Sequence, residues 1–367
     1  MKKLLFILAA LVLFVSCQTT IAVSYMRPSA VDMGPYRNLA IASVVPDRSF
    51  QTPPMWVMAA DGHAFGMHVR PGYTASTAEN IASYATDELY STLSSTGFFN
   101  LLPPSATDTV LRMGMYGSDI SKELRARGYD AVLIPRITDM TINESVYSVP
   151  DYEWWTDSEG FEHREVVYDY YYKQVVSIEY TLTLIDTHTG AIVTRRNFTD
   201  TESREGDLDT SWMRLDDVSY LFRSMIRSFS GEIVRYFVPT HAEYDVTLMN
   251  NKPENKDAEA AYKSAKDGDI ATAREIFLSV WNESGHLPSG YNAALLYAAS
   301  GDFDSSINLL QEIMGRYSNS DVRTLYRDLQ TIKARNEQAL TQVSQPYGYV
   351  EQESSNSNSV YGFVMGI

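Results

Sequence analysis

Apolar and polar positions alternate along one stretch of this chain and recur every four residues along others. From Val166, alternate positions carry Tyr168, Tyr170, Tyr172, Val176, Ile178, Tyr180, Leu182 and Leu184, with only Gln174 breaking the series. Asp169, Lys173, Ser177, Glu179, Thr181 and Thr183 hold the other parity. Upstream, Met140, Ile142, Val146, Tyr152 and Trp154 share one parity, and Asp139, Thr141, Asn143 and Ser145 the other. A period of two sends successive side chains to opposite faces of a strand, so these runs predict two antiparallel strands with one apolar face. Thr156 to Gly160 supplies the turn, giving a hairpin over 137–185 that is ~60 Å long at roughly 3.3 Å per residue.

The four-residue period predicts helices. Ser76-Thr77-Ala78-Glu79 reads as a capping box, Ile81, Ala85, Leu89 and Leu93 follow on one stripe, and Gly97 ends the run. A second stripe, Val218, Leu221, Met225, Phe229 and Ile233, predicts a helix over 215–237, with Pro239 beyond it. A shorter helix fits 119–127, stopped by Gly128. Leu39 to Val45 is a continuous apolar run suited to a strand buried on both faces. Phe98 to Leu102 and Ala131 to Ile134 are strand-like, the first ended by Pro103 and Pro104. Pro135 predicts a sheet edge or a bulge, because proline cannot donate to a ladder. The order predicts an α+β domain over 38–239, a mixed sheet with helices and a long hairpin.

The first residues carry a different pattern. Lys2 and Lys3 precede an unbroken apolar run, Leu4 to Val15, followed by Ser16 and Cys17. Twelve residues of helix span about 18 Å, short of the ~30 Å hydrocarbon core, which favours a signal peptide over 1–16 rather than a membrane span. Cys17 is the only cysteine. Its place after the small residue marks a lipoprotein signal, with the thiol taking diacylglycerol and the new amine an acyl chain. An ordinary signal with an incidental cysteine is the plainer alternative. Several acyl chains anchor stably where one does not. Residues 17–37, with Pro28, Gly34 and Pro35 and no clear period, are expected to form a tether.

Four segments of the α+β region also carry a resemblance: Asn38-Leu39-Ala40-Ile41, Ser95-Thr96-Gly97-Phe98-Phe99, Gly128 to Ile134, and Leu184 to Gly190. They resemble the periplasmic domain of curli-secretion-channel lipoproteins, and are similar to TolB amino-terminal-like domains and penicillin-binding-protein activator lipoproteins. The resemblance implies an envelope location and supplies no catalytic residue. It also implies a reading of the hairpin as part of a shared membrane pore. The alternative is that the hairpin packs on protein, where tyrosine buries area while keeping one polar contact. Tyr152, Trp154, Trp155, Tyr168, Tyr170 and Tyr172 are the candidate interaction surface.

Beyond a polar linker expected over 240–257, a shift of 33 residues aligns Ala261 with Ala294, Ala265 with Ala298, Gly268-Asp269-Ile270 with Gly301-Asp302-Phe303, and Phe277 with Leu310. This period resembles tetratricopeptide repeats and predicts an all-α domain over 258–340, with 321–340 as a capping helix. Ser306 stands where alanine is usual, and the usual tryptophan is absent. The tail over 341–367 is rich in Ser, Asn and Gln and is expected to be disordered, although Val360 to Val364 could add a strand to a partner.

Charge and chemistry narrow the function. With 30 basic against 46 acidic residues, the net charge of −16 opposes binding to nucleic acid or anionic headgroups. A single cysteine rules out an internal disulfide. No nucleophile elbow, zinc motif, phosphate loop or dinucleotide fingerprint is present. The six histidines are scattered, and Asp267, Asp269 and Glu275 lack calcium-loop spacing. His188 falls in a turn, and Asp207 and Asp209 in an acidic loop. The expectation is a non-enzymatic lipoprotein of the bacterial envelope, lipid-anchored at the outer membrane, without a cofactor apart from the lipid on Cys17. It would bind or scaffold proteins, self-assembly included. A secretion-pore subunit and an activator of a cell-wall synthase are the other readings.

Overall fold

The computed structural model describes residues 19–61, 64–70, 72–207 and 217–344. Cys17 and the tail beyond Ser344 lie outside these residues, so the signal, the lipidation site and the strand-forming tail do too. The chain divides into two compact units, one over Ala30–Val238, the other joining the segment ending at Ser29 to Pro239–Ser344.

Strand β1 (Thr20–Arg27) belongs to the second unit. The first unit runs β2 (Asn38–Ile41), a β3–β4 hairpin (Met55–Asp61, Ala64–Arg70), α1 (Ala75–Ser95), β5 (Asn100–Leu102), α2 (Pro104–Gly114), α3 (Ile120–Ala126), β6 (Ala131–Thr156), β7 (Glu162–Asp186), β8 (Ile192–Asp207) and α4 (Ser219–Phe237). Its main sheet has the order β5-β2-β6-β7-β8, parallel across the first three strands and antiparallel across the last three. One face, including Ile41, Leu133, Ile178 and Leu184, packs against Ile81 and Leu89 of α1 and Phe222 and Met225 of α4. The other, with Ala40, Val132 and Ile185, is covered by Val110 of α2 and Leu124 of α3. Burial on both faces explains the continuous apolar run in β2, each large side chain contributing about 1.5–3 kcal/mol.

Local chemistry sets the boundaries. Helix α1 is capped two residues earlier than the capping-box reading, at Thr74, whose N–H donates to Thr77 Oγ1 at 3.4 Å. The carbonyls of Leu133 and Pro135 accept from Ala42 and Val45 on the β2 side. Pro135 therefore lacks its N–H where β2 gives out, and a register shift follows between Ile137 and Asp139. The turn into β8 is held by Asp186, whose carboxylate accepts from the N–H groups of His188 and Thr189 at 2.6 and 3.2 Å. Gly190 there adopts a φ of 70°.

The second unit joins β1 antiparallel to β9 (Thr240–Thr247), in register from Thr20 opposite Thr247 to Arg27 opposite Thr240. Helices α5 (Glu259–Lys266), α6 (Ile270–Ser284), α7 (Leu287–Ala299), α8 (Phe303–Arg316) and α9 (Ser320–Ser344) complete it. Ile21, Val23 and Tyr25 join the helices in one core. The tether expected over 17–37 and the linker expected over 240–257 are thus corrected, since each contains a strand. Three core-facing apolar residues per strand, Ile21, Val23 and Tyr25 in β1 and Ala242, Tyr244 and Val246 in β9, are too few to stand out when the partner strand is remote in sequence. The rest of the expected linker is pinned as well: Met249 donates its N–H to Asn292 at 2.7 Å, and its carbonyl accepts from Tyr262 Oη at 2.6 Å.

The 33-residue shift pairs residues of like conformation. Gly268 and Gly301 both have φ of 83°, and the carboxylates of Asp269 and Asp302 cap Thr272 and Ser305 N–H at 3.1 and 3.0 Å. Phe277 and Leu310 are both buried, as are Ala273 and Ser306. Ser306 meets its burial by donating to the Ala294 carbonyl at 2.6 Å. Among the described residues, no helix is long and apolar enough to cross a membrane.

Candidate functional site

The strand register decides which aromatic residues meet. Strand β8 accompanies β7 as far as Tyr171, opposite Asp207, and among the described residues β6 and β7 pair only with each other beyond that level. Ser148 faces Tyr170, Pro150 faces Tyr168, Tyr152 faces Val166, and Trp154 faces Arg164. Residues directly opposite share a face, so Tyr152, Trp154, Tyr168 and Tyr170 lie on one side of the ribbon. That side continues the core face of Val176 and Ile178 outward. Tyr152, Trp154 and Tyr168 are 50%, 65% and 49% exposed.

Two candidates stand apart. Trp155 is on the opposite face, stacked on His163 with ring centres 4.5 Å apart. Tyr172 is buried. It sits opposite Gly206 of β8, so close that a Cβ on Gly206 would come within 2.7 Å of its hydroxyl. Tyr172 therefore belongs to the core side, a correction that follows from β8. With Arg195, Arg196, Arg204 and Glu205 among few apolar residues, that strand had no readable pattern.

Polar residues along the apolar face are accounted for. Gln174, the break in the series, is buried and donates from Nε2 to Glu144 Oε1 at 2.8 Å, its partner in register. The Arg164 guanidinium lies 4.3 Å from the centre of the Tyr152 ring and 5.7 Å from that of Trp154, a cation–π arrangement that keeps both rings flanked. The opposite face carries Asp151, Glu153, Glu165 and Asp169, with Tyr147 and Tyr171 stacked 5.5 Å apart nearer the core. Arg164, Tyr147 and Tyr171 are contributors that periodicity alone did not single out.

The tip is closed by Asp157. Its carboxylate accepts from the N–H groups of Glu159 and Phe161 at 3.0 and 2.9 Å and from His163 Nε2 at 2.6 Å. The His163 hydrogen bond, helped by these N–H groups, holds the Asp157 carboxyl below its ordinary value. Gly160 adopts a φ of 91° to complete the turn, and Phe161 projects into solvent.

Elsewhere in the first unit, a cleft of about 700 Å³ opens at the carboxyl ends of β2 and β5, between α1 and the start of α2. Two of its polar groups are engaged in the fold: Asp108 accepts from Ser43 N–H at 3.0 Å, and Thr86 Oγ1 from Val44 N–H at 2.9 Å. Among the described residues, no group of three His, Cys, Asp or Glu is placed to hold a metal ion. His188 lies in its turn with Nε2 3.4 Å from Asp130 Oδ1.

No protein-family model matches this chain, and no curated protein matches it. Among solved structures, it is similar to a PelC dodecamer from Paraburkholderia phytofirmans, at 13% identity over 59% of this chain and 96% of that one, with a TM-score of 0.23. It is also similar to Lipoprotein GNA1162 from Neisseria meningitidis, at 10% identity over 54% and 97%, with a TM-score of 0.24. Superpositions of that quality support no inference about mechanism.

Proposed function

We propose that this is a non-enzymatic, lipid-anchored protein of the bacterial envelope that holds other proteins through the outer half of its hairpin. The observation that carries the reading is the ribbon of Tyr152, Trp154, Tyr168 and Tyr170, the first three exposed to water and the last half-buried. Soluble surfaces rarely keep contiguous apolar area without a partner, and Trp, Tyr and Arg dominate binding energy where partners meet. Arg164 supplies the charged member of such a set. Cys17 is the acylation site in this reading, and membrane attachment follows from the lipid. The helix pairs of the second unit, with their matched Gly-Asp turns, serve as a tetratricopeptide-like scaffold.

A second reading, a pore built from several copies, is favoured by one observation. The two-stranded ribbon is about as long as the 9–11 residues of a membrane strand, and its two faces differ in polarity. Conductance separates the two. Removing 148–170 and closing Tyr147 to Tyr171 with a two-residue turn spares the three-stranded part of the sheet. The expected result is a lipidated protein that gives no conductance in liposomes, with or without the ribbon, and no large closed ring in detergent. A reproducible channel that the deletion abolishes while the core stays folded would overturn the scaffold reading.

A further inference from the structure

We propose that the helical unit lies against the membrane, with the Thr20–Thr247 end of the β1–β9 ribbon turned to the lipid headgroups. This rests on acylation of Cys17, as argued above. Two residues, Gln18 and Thr19, separate Cys17 from Thr20, and three Cα-to-Cα steps reach only about 10 Å when extended. Thr20 is no loose end. It begins an eight-residue strand paired along its whole length with β9, and Leu248 N–H donates to the Thr19 carbonyl at 2.9 Å. Ile21, Val23 and Tyr25 are each less than a tenth exposed. Peeling β1 away to lengthen the tether would break the ladder and expose these three side chains. The lipid therefore holds this end of the helical unit within about 10 Å of its own attachment point.

The direction of α9 gives the geometry an axis. Tyr244 Oη donates to Asp328 at 2.7 Å, Met26 N–H to Asn336 at 2.8 Å, and Ser29 N–H to Gln342 at 3.0 Å. Helix α9 thus runs along the ribbon with its first turns at the Thr20 end and its last turns away from it. A cleft of about 440 Å³ between Thr247, Asn250, Asp321 and Thr324 lies at the near end. Arg323 and Thr341 are both exposed. Eighteen residues apart, they sit ~27 Å from each other along the helix axis. Asp245 and Asp321 flank the near end, so covalent reach, not charge, brings it to the headgroups.

The test uses full-length lipidated protein in phosphatidylcholine vesicles that carry a headgroup nitroxide. Arg323→Cys or Thr341→Cys gives one free thiol for a fluorophore, because the Cys17 thiol is blocked by its thioether to diacylglycerol. Quenching is expected to be severalfold stronger at position 323 than at 341. A Gly/Ser insertion of about 20 residues between Gln18 and Thr19, with an r.m.s. span of ~25 Å, is expected to remove the difference. Protein that floats with the vesicles yet is quenched equally at both positions, or more at 341, overturns this inference alone. Protein that fails to float and bears no acyl chain overturns the lipid anchor together with it.

Discussion

Gly290 of α7 lies flat against the indole of Trp281 in α6: a Cβ there would meet the ring at 2.7 Å and the Ile313 side chain at 3.0 Å. Trp281 is fully buried, so the ring has nowhere to move. Alanine is ordinarily better than glycine in a helix by about 1 kcal/mol. Here the gain is outweighed by overpacking, which costs about 1–3 kcal/mol. Gly290→Ala is expected to lower the denaturation midpoint of the helical unit. Pairing it with Trp281→Phe, which frees space at the same point, is expected to restore part of the loss.

Tyr180 offers the opposite case. It is buried at the centre of the sheet, its ring 6.4 Å from Phe229 and nearly parallel to it. Its hydroxyl has no hydrogen-bond partner among the described residues. Burial alone pushes the phenol far above its usual range. An unpaired buried polar group costs about 1–3 kcal/mol. Tyr180→Phe is expected to stabilise the α+β unit by roughly 1 kcal/mol, read as a higher urea midpoint at unchanged slope. A lower midpoint would mean that the hydroxyl is satisfied.

How much of this was legible in the sequence depends on where each residue's partner lies. The stripes of α1 and α4 and the period-two tyrosines were visible because neighbours in sequence share a face. The Gly-Asp turns of the helical unit were visible for the same reason. Strands β1 and β9 were hidden because neither makes sense without the other. Strand β8 was hidden because, among its side chains, Phe198 and Val193 pack on the core, too few to set a period, and the rest of its placement comes from the ladder with β7. The burial of Tyr172 depends on Gly206 and could not be seen before β8 was. Pro104 was read as ending a strand, whereas it also opens α2 at the first-turn position where a missing N–H costs nothing. Of the candidate surface, periodicity found the shared face of Tyr152, Trp154, Tyr168 and Tyr170, but not the arginine lying over it.

The segment expected to be the linker now predicts resistance to protease. His286 is buried, with Nε2 donating to the Pro253 carbonyl at 2.8 Å and Nδ1 paired with Ser289 Oγ at 2.7 Å. Asn251 adds bonds to both the N–H and the carbonyl of Asn255 at 3.0 and 2.9 Å. Brief trypsin treatment is expected to spare Lys256, the lysine of this segment that trypsin can cut, since Pro253 blocks cleavage after Lys252. His286→Ala removes the anchor on Pro253, and cleavage after Lys256 is expected to rise severalfold by mass spectrometry of timed digests. Equal rates in the two proteins would show that His286 does not restrain this segment.

The hairpin tip predicts a local response to acid. The Asp157 carboxyl is held below its ordinary value chiefly by the His163 hydrogen bond, so the closed turn favours the ionised form. A lowered value in the closed state means that this contribution is fully present above the ordinary carboxylate range, near pH 4, and fades as pH falls through the lowered value. The tip is exposed and two-stranded, so its opening is expected to leave the unfolding midpoint of the core unchanged. What is expected to change is the Phe161 amide signal and the near-ultraviolet dichroism of Trp155, whose indole stacks on the His163 ring. Asp157→Asn keeps a carbonyl oxygen to accept from Glu159 and Phe161 but cannot ionise. This variant is expected to retain the turn and lose its acid transition. If both proteins show the same transition below pH 4, another carboxylate controls the tip, and Glu162 and Glu165 on the adjacent strand are the ones to substitute next.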